Sequence, residues 1–278
     1  MVEVYRRLRN TLRFLLANTA DFDPATQMLP VAQWLEADRY ALALTRGLQA
    51  QCTADYERFE FHKVIQALMN FCAEDLGAFY LDTLKDRLYT TAADSLPRRA
   101  AQSALWHILQ SVTRLMALVL SFTAEEIWAV LGDKRGQLES VMLATLHALP
   151  EAAEESALLV RWTQLRELRA EVTKAMEALR EAGKIGSSLQ ADVEIRAAGE
   201  RYALLAALGD DLRFVLICSK ATLTESADEG IVVTPTAQAK CARCWHWRED
   251  VVHDPAYSEL CGRCTSNLYG PGEARRFA

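Results

Sequence analysis

Four cysteines near the end of the chain have the spacing of a metal site. They form the pattern C-x2-C-x16-C-x2-C at Cys241, Cys244, Cys261 and Cys264. Each CxxC pair lets one tight turn aim two thiolates at a single point, and the spacer lets the second pair return to complete a tetrahedron. Zn²⁺ prefers four soft ligands in this arrangement, and a closed four-cysteine site leaves no position for a substrate. We therefore predict one structural zinc ion.

Two alternatives at this site stay open. The cysteines could form disulfides, although nothing in the sequence indicates export to an oxidising compartment. His246 or His253 could replace a thiolate, but neither lies at a second-pair position, and we expect both near the surface or beside the ligands. The isolated Cys72 and Cys218 lie in apolar runs and are interpreted as buried thiols.

Arginines accompany aromatic residues at both ends of the chain. RNA binding uses this combination, because unpaired bases stack on rings or guanidinium planes while phosphates meet positive charge. A solvated basic helix, and a zinc module whose tryptophans cover its own small core, would explain the same residues. The basic residues of the C-terminal part also include Lys240, Arg263, Arg275 and Arg276. The candidate RNA-binding residues are Arg6, Arg7, Arg9, Arg13, Arg243, Trp245, Trp247 and Arg248.

Composition limits the classes of protein to consider. The chain has 278 residues, of which 51% are hydrophobic, so it is long enough for two or three domains. Its net charge of -6 means that any nucleic-acid binding must depend on local patches. There is no run of about 20 apolar residues, and "MVEVYRRLRN" does not resemble a signal peptide. We expect a cytoplasmic monomer without a membrane partner.

Residues 1–150 are predicted to form a helical bundle. Apolar residues recur every three or four positions in "FHKVIQALMNFCAEDLGAFYLDTLKDRLY" and in "AQSALWHILQSVTRLMALVLSF". Thr123 and Glu126 have the spacing of a capping box, which predicts that a new helix begins there.

A small α+β subdomain is predicted for residues 151–236, and the zinc module for 237–278. The subdomain begins with a helix that Gly183 should end, followed by a strand in which Ala191, Val193 and Ile195 alternate with polar residues. A short helix at "RYALLAAL", a buried strand at "LRFVLIC" and a third strand at "GIVVTP" should complete it.

The chain lacks the local signatures of a catalytic site. It has no G-x-S-x-G, no P-loop and no G-x-G-x-x-G, and its five histidines are scattered. His62, His107 and His147 are interpreted as ordinary core or surface histidines. "KIGSS" at 184–188 has a faint likeness to the KMSKS loop of class I aminoacyl-tRNA synthetases, but we interpret it as a turn between helix and strand.

Several segments together resemble the C-terminal part of bacterial isoleucyl-tRNA synthetases over nearly the whole chain. "YRRLRNTLRFLLANTADFDP" is similar to the junction that leads into the anticodon-binding helices of that family. "FHKVIQALMNFCAEDLGAFYLDTLKDRLY" and "FTAEEIW" resemble segments shared by the isoleucyl, valyl and leucyl enzymes. "KIGSSLQADV" and "KCARCWHWRED…LCGRCTSNL" resemble the isoleucyl group more narrowly.

This resemblance implies a mainly α protein: a class Ia synthetase-type anticodon-binding helical bundle, a small α+β subdomain and a C-terminal four-cysteine zinc module. It implies that the chain is part of an isoleucine–tRNA ligase and binds the anticodon stem and loop of tRNA-Ile. Catalytic and editing domains elsewhere in the full-length chain would use ATP and isoleucine, and the present piece would be inactive alone.

Three rival interpretations remain. DNA glycosylases of the formamidopyrimidine type end in a similar zinc finger, but their nucleophile is an N-terminal proline, and Val2 follows Met1 here. A non-catalytic zinc-ribbon protein could use the long helices as a partner platform. A valyl or leucyl synthetase piece is a milder alternative, disfavoured by "KIGSSLQADV" and the terminal cysteines.

Overall fold

The chain is mainly helical, which confirms the predicted fold class. The computed structural model describes residues 2–131, 138–251 and 257–278, with side chains from residue 5 onwards. Across these ranges, no helix is long and apolar enough to cross a membrane. The first helices are α1 (Val2–Asn18), α2 (Pro24–Gln27), α3 (Glu36–Glu57), α4 (Phe61–Asn70), a π-helix (Phe71–Tyr80), α5 (Leu81–Thr90), α6 (Leu96–Met116) and α7 (Ser121–Leu131).

The rest of the chain combines helices with two small sheets. Strand β1 lies between β2, to which it is parallel, and β3, to which it is antiparallel, while β4 and β5 form an antiparallel pair. These elements are α8 (Glu155–Glu181), β1 (Ala191–Ala197), α9 (Gly199–Ala206), α10 (Leu212–Leu216), β2 (Lys220–Glu225), β3 (Gly230–Pro235), β4 (Ala239–Lys240), β5 (Trp247–Arg248) and α11 (Gly262–Tyr269). Short 3₁₀ turns lie at Val31–Gln33, Val141–Leu143, Ser188–Gln190 and Gly209–Asp211.

The chain forms two compact units. The first contains residues 1–82 and 99–159, and the second contains 83–98 and 160–278. The second unit therefore includes most of α5, although this segment is far from the rest of the unit in sequence. Such an assignment depends on long-range contacts, and sequence periodicity does not reveal it.

The first unit buries one face of each long helix. In α1, Leu8, Leu12 and Leu15 are almost completely buried, at the spacing that places residues on one face of a helix. The buried hydroxyl of Tyr80 donates a hydrogen bond to Asp38 Oδ1 at 2.7 Å, so this polar pair is satisfied inside the bundle. Helices α1, α3 and α4 all contact the π-helix.

The predicted capping box at Thr123 is wrong. Helix α7 begins at Ser121, so Thr123 already lies inside it. The Thr123 hydroxyl hydrogen-bonds the hydroxyl of Tyr5 at 2.9 Å, and Glu126 forms an ion pair with Arg9 at 2.5 Å. The Thr123 hydroxyl and the Glu126 carboxylate therefore bind residues of α1 instead of capping a helix.

The long helical run after residue 60 contains a π-helical segment that periodicity did not predict. In a π-helix each turn is wider, and successive hydrogen bonds join residues five apart. A Cβ at Gly77 would lie 2.9 Å from the carbonyl oxygen of Cys72, five residues earlier. A side chain at this position would therefore force the backbone to shift. Thr11 of α1 donates a further hydrogen bond to the same oxygen at 3.1 Å.

Two histidines join the segment before α8 to the bundle. His107 Nδ1 and His147 Nε2 are 2.9 Å apart and share a hydrogen bond. The Trp106 ring stands edge-on to both imidazoles, with centroid distances of 5.0 and 5.3 Å. Gln49 of α3 donates to the carbonyl oxygen of His147 at 3.0 Å. These contacts hold the segment before α8 against α3 and α6.

The second unit contains the predicted helix–strand sequence. Gly183 adopts a φ of 67°, and the amide of Lys184 donates to the carbonyl oxygen of Leu179, so α8 ends as predicted. The alternation of Ala191, Val193 and Ile195 gives the buried face of β1. The KIGSS residues connect these two elements, which is the role that the sequence indicated.

The predicted strand at "LRFVLIC" is instead the short helix α10. All five of its residues are buried, and Ile217 ends it in a left-handed conformation with a φ of 53°. A short, continuously apolar run has no period that separates a buried helix from a buried strand, so packing decided its conformation. The following residues, Lys220–Glu225, form the strand that pairs with β1.

Candidate metal centre and nucleic-acid interface

The first cysteine pair lies on a tight turn between β4 and β5. These strands pair through Lys240 and Trp247, and the amide of Cys241 donates to the carbonyl oxygen of His246 at 2.9 Å. The amide of Trp245 closes the turn onto the carbonyl oxygen of Cys241 at 3.1 Å. This hairpin directs Cys241 and Cys244 to the same side, as the CxxC spacing predicts.

The second pair lies at the beginning of α11. Cys261 precedes the helix, and Cys264 belongs to its first turn. The Asp250 carboxylate accepts a hydrogen bond from the amide of Gly262 at 2.9 Å, which satisfies a free amide at the helix start. The amide of Ala242 donates to the carbonyl oxygen of Glu259 and joins the two turns.

The four sulfur atoms converge on one point. They all lie within 4.8 Å of one another, and all four cysteines are buried. Cys244 Sγ and Cys261 Sγ are 3.7 Å apart, whereas a disulfide requires about 2.05 Å. All seven cysteines are free thiols, so the disulfide alternative is excluded.

This donor set suits zinc. Hydrogen bonds from Cys244 and Cys261 lower the pKa of the Cys241 thiol. Four neighbouring thiolates would repel one another, and the positive charge of a divalent cation would offset this repulsion as the thiol protons are released. Four protein sulfurs leave no open coordination position, so the metal would stabilise the fold rather than catalyse a reaction. The predicted structural zinc site is confirmed.

The alternative that a histidine replaces one of the four thiolates concerns His246 and His253. His246 is buried and its Nδ1 lies 3.3 Å from the carbonyl oxygen of Cys244, so it adjoins the site. His253 lies outside the described residues.

The arginines of α1 differ in their surroundings. Arg6, Arg7 and Arg13 are exposed, whereas Arg9 is half-buried. The ion pair with Glu126 holds the Arg9 guanidinium against α7, and the hydrogen bond that Arg9 donates to this carboxylate raises the pKa of Arg9. Arg6 and Arg13 are two helical turns apart, so they lie on one side of α1.

The other four RNA-binding candidates surround the first cysteine pair. Trp245 is 61% exposed and has a φ of 64°, a left-handed conformation that is strained for a bulky side chain. Lys240 Nζ lies 5.3 Å from the Trp245 ring centre. Trp247 is half-buried, and Arg248 lies 3.6 Å from the Asp250 carboxylate. Arg243 donates to the carbonyl oxygen of Thr90 at 3.2 Å.

Two basic residues of the C-terminal part belong to a buried ion cluster, which comprises Asp86, Arg263, Glu273 and Arg275. Both terminal nitrogens of Arg263 donate hydrogen bonds to the Asp86 carboxylate, each at 2.7 Å. Arg275 pairs with Asp86 and Glu273, and its guanidinium lies 3.6 Å from the centre of the Phe214 ring. Neither arginine presents its charge to solvent, since their side chains are 9% and 0% exposed.

Electrostatics keeps both carboxylates of this cluster ionised. Burial alone would raise the pKa of Asp86, but the hydrogen bond from Arg263 and the charges of Arg275 and Arg263 outweigh it. The pKa of Asp86 is therefore well below its usual range. Burial of Glu273 is likewise outweighed by Arg275 and Arg263, which lower its pKa. The cluster balances two cations with two anions.

Sequence reasoning missed the two carboxylates of this cluster. Asp86 is 177 positions from Arg263, and it lies in a helical run where charged residues are common. No local spacing marks such a residue, because only the fold brings it beside its partners.

Comparison with known proteins agrees with this geometry. Residues 38–195, more than half of the chain, match the family described as the anticodon-binding domain of tRNA ligase. Residues 239–267, which include all four clustered cysteines, match the zinc finger found in FPG and IleRS.

Similar whole sequences are named isoleucine–tRNA ligase. The chain is 61% identical to that of Dechloromonas aromatica over 99% of its own length, 60% to that of Azoarcus sp. and 54% to that of Cupriavidus taiwanensis, both over 100%. It spans only 29% to 30% of the length of these relatives and matches their C-terminal part. The resemblance seen in the sequence is confirmed. The chain therefore belongs to the family of anticodon-binding domains of tRNA ligases.

Proposed function

We propose that this chain is the tRNA-binding part of a longer isoleucine–tRNA ligase. The observation that carries the proposal is the match of more than half of the chain to an anticodon-binding domain, together with the C-terminal zinc finger. The catalytic and editing domains of the same full-length protein would use ATP to attach isoleucine to tRNA-Ile. The present chain would bind the anticodon stem and loop and position the tRNA for that reaction. Its place of action would be the cytoplasm, as a monomer.

Three functional parts are proposed within the chain. The bundle at 1–150 would receive the anticodon arm, residues 151–236 would connect it to the rest, and the zinc module at 237–278 would close over the RNA. The exposed arginines of α1, among them Arg13, would contact phosphates. Trp245 would stack on an unpaired base, and Arg243 and Arg248 would lie beside it. Arg9 and the half-buried Trp247 are the weaker candidates.

The zinc ion would have an architectural role in this function. Among the described residues, the apolar cluster of the zinc module consists of the four cysteines, Val251 and the partly buried Leu260. So small an apolar core gives limited stability, and the metal–sulfur bonds would supply what burial does not.

The decisive experiment compares two tRNA-Ile transcripts that differ only in the anticodon. We expect the chain to prefer the authentic anticodon at low salt. Arg13→Ala should weaken binding to both transcripts and reduce the salt slope by about 0.7 to 0.9, the value for one lost phosphate contact. Lys174→Ala is the control, because Lys174 is an exposed cation on α8 outside the candidate surface. Equal binding to both transcripts would refute anticodon reading by this chain.

A DNA repair activity is the outcome to exclude, because the zinc finger family includes FPG proteins. We expect no cleavage of a duplex that contains an oxidised base. Cleavage that persists in a repeatedly purified preparation would overturn the proposed function.

A further inference from the structure

The zinc module is attached to α5 through both of its cysteine turns. Arg243, between the first pair of cysteines, donates to the carbonyl oxygen of Thr90 in the last turn of α5. Arg263, between the second pair, forms the two-pronged ion pair with Asp86 one turn earlier. Arg263 also lies 3.4 Å from the Thr90 hydroxyl. Both ligand turns are therefore tied to one short stretch of a single helix.

The segment after α11 reaches the same carboxylate. Arg275 binds Asp86 Oδ2, and Glu273 accepts hydrogen bonds from Arg263, Arg275 and Asn267. The amides of Arg276 and Phe277 donate to Asp211 Oδ2 at 3.0 and 2.8 Å, so the end of the tail is also bound to the residue that precedes α10. Asp86 receives both arginines and, unlike Glu273, lies on neither the module nor its tail.

A buried ion cluster controls geometry more than it adds stability. Removing charges from water is costly, and apolar residues of equal volume often stabilise a protein as well or better. The ion pairs nevertheless favour one arrangement of the chain. A guanidinium that moved away from its carboxylate would stay buried as an unpaired charge, which costs free energy. A two-pronged arginine–carboxylate pair also fixes the relative orientation of the two elements that supply it.

We propose that Asp86 is a positioning residue that sets the orientation of the zinc module through Arg263 and Arg275. In this orientation Trp245 is exposed to RNA. Only this last step depends on the proposed tRNA-binding function. Asp86 itself is 15% exposed and pairs with both arginines, so its proposed role is positioning rather than RNA contact.

The test uses the zinc-loaded chain with Asp86→Asn, which keeps the side-chain size and removes the charge. Asp94→Asn is the matched control, since Asp94 is exposed and belongs to the same unit. Hydrogen exchange followed by mass spectrometry should show amides of segment 241–248 exchanging about tenfold faster in D86N, because the turn opens more often. Zinc content and helical circular dichroism should stay at the wild-type level, and D94N should match the wild type in every measurement.

Binding to the tRNA-Ile transcript separates positioning from a general structural role. Trp245→Ala should weaken binding about tenfold in the wild-type chain, as expected for one stacked base. In the D86N background the same substitution should cost less than about threefold, because the two residues act through one arrangement. If the wild-type chain does not bind the transcript, the proposed function fails while the exchange result still decides the role of Asp86.

Exchange at 241–248 within about twofold of the wild type in D86N would overturn the inference, since local opening would then not depend on Asp86. If D86N does not fold, Glu273→Gln provides the second variant, because it removes one anion and leaves Asp86 with both arginines. It should accelerate exchange in the same segment by a smaller factor. Unchanged exchange in a folded E273Q chain would then refute the role of the cluster.

Discussion

The hydrogen-bonded histidines should make the first unit lose stability as the pH falls below about 6.5. Burial lowers the pKa of His107 to about 4. Burial, followed by the charges of His107 and Arg114, lowers the pKa of His147 to about 3. In the unfolded chain both imidazoles have their ordinary pKa, so between these values the unfolded state binds protons that the folded state does not. The stabilising contribution is complete above pH 6.5 and declines toward the folded pKa values.

The size of this effect follows from the pKa values. At pH 5 an imidazole that titrates at about 6.5 when unfolded and at about 4 or below when folded destabilises the protein by about 2 kcal/mol. The two together would reach about 4 kcal/mol, and partial exposure of the rings reduces this to about 3 kcal/mol. Domains are typically stable by about 5 to 15 kcal/mol, so the change should be readily measured.

Urea unfolding at pH 7 and pH 5, followed by tryptophan fluorescence, tests the prediction, and Trp106 stands against the two rings. We expect the midpoint to fall at pH 5 in the wild-type chain and to fall about half as far in His147→Gln, which retains one shifted imidazole. His62→Gln is the control, because His62 is exposed. A midpoint that falls equally in wild type and H147Q would refute the assignment of the pH dependence to this pair.

Three further outcomes are expected. Chelation of zinc should unfold α11, which has 8 residues compared with 27 in α8, so most of the helical circular dichroism signal should remain. Cooperative loss of the whole signal would contradict a metal that stabilises only the zinc module. Trp245→Gly should leave thermal stability unchanged or raise it by about 1 kcal/mol, because glycine adopts a positive φ without strain. The same substitution should weaken tRNA binding. Reduced stability would show that packing of the Trp245 ring stabilises the fold. Gly77→Ala should lower stability by about 1 to 3 kcal/mol, because the new Cβ would contact the Cys72 carbonyl oxygen. Gly47→Ala in α3 should raise stability by about 0.5 to 1 kcal/mol, because a Cβ there would have nothing within 4 Å. Thermal unfolding that ranks the two variants in the opposite order would contradict this account.

Some properties of the folded protein depend on short stretches of sequence and could be predicted. Two thiols three positions apart meet in one turn wherever that turn lies, so the C-x2-C pairs were sufficient to predict the zinc site. The three-to-four periodicity of α1 and the alternation in β1 likewise follow from local geometry. Gly183 ends α8 because the left-handed conformation at that point suits a residue without a side chain.

Other features depend on which distant residues meet. Thr123 and Glu126 could have capped a helix, but Tyr5 and Arg9 of α1 bind them instead. The apolar run at 212–218 contains no period, so its helical form was decided by packing.

The sequence by itself determined the family, the helical class and the four zinc ligands, since each depends on motifs or on spacing within one element. Only the tertiary structure decided which arginines are exposed and which are buried in ion pairs. Arg13 and Arg263 are the same type of residue, yet Arg13 is exposed on α1 and Arg263 is buried against Asp86. The physical reason is that an ion pair requires proximity in space, and its buried charge is stable only where the fold supplies a counter-charge.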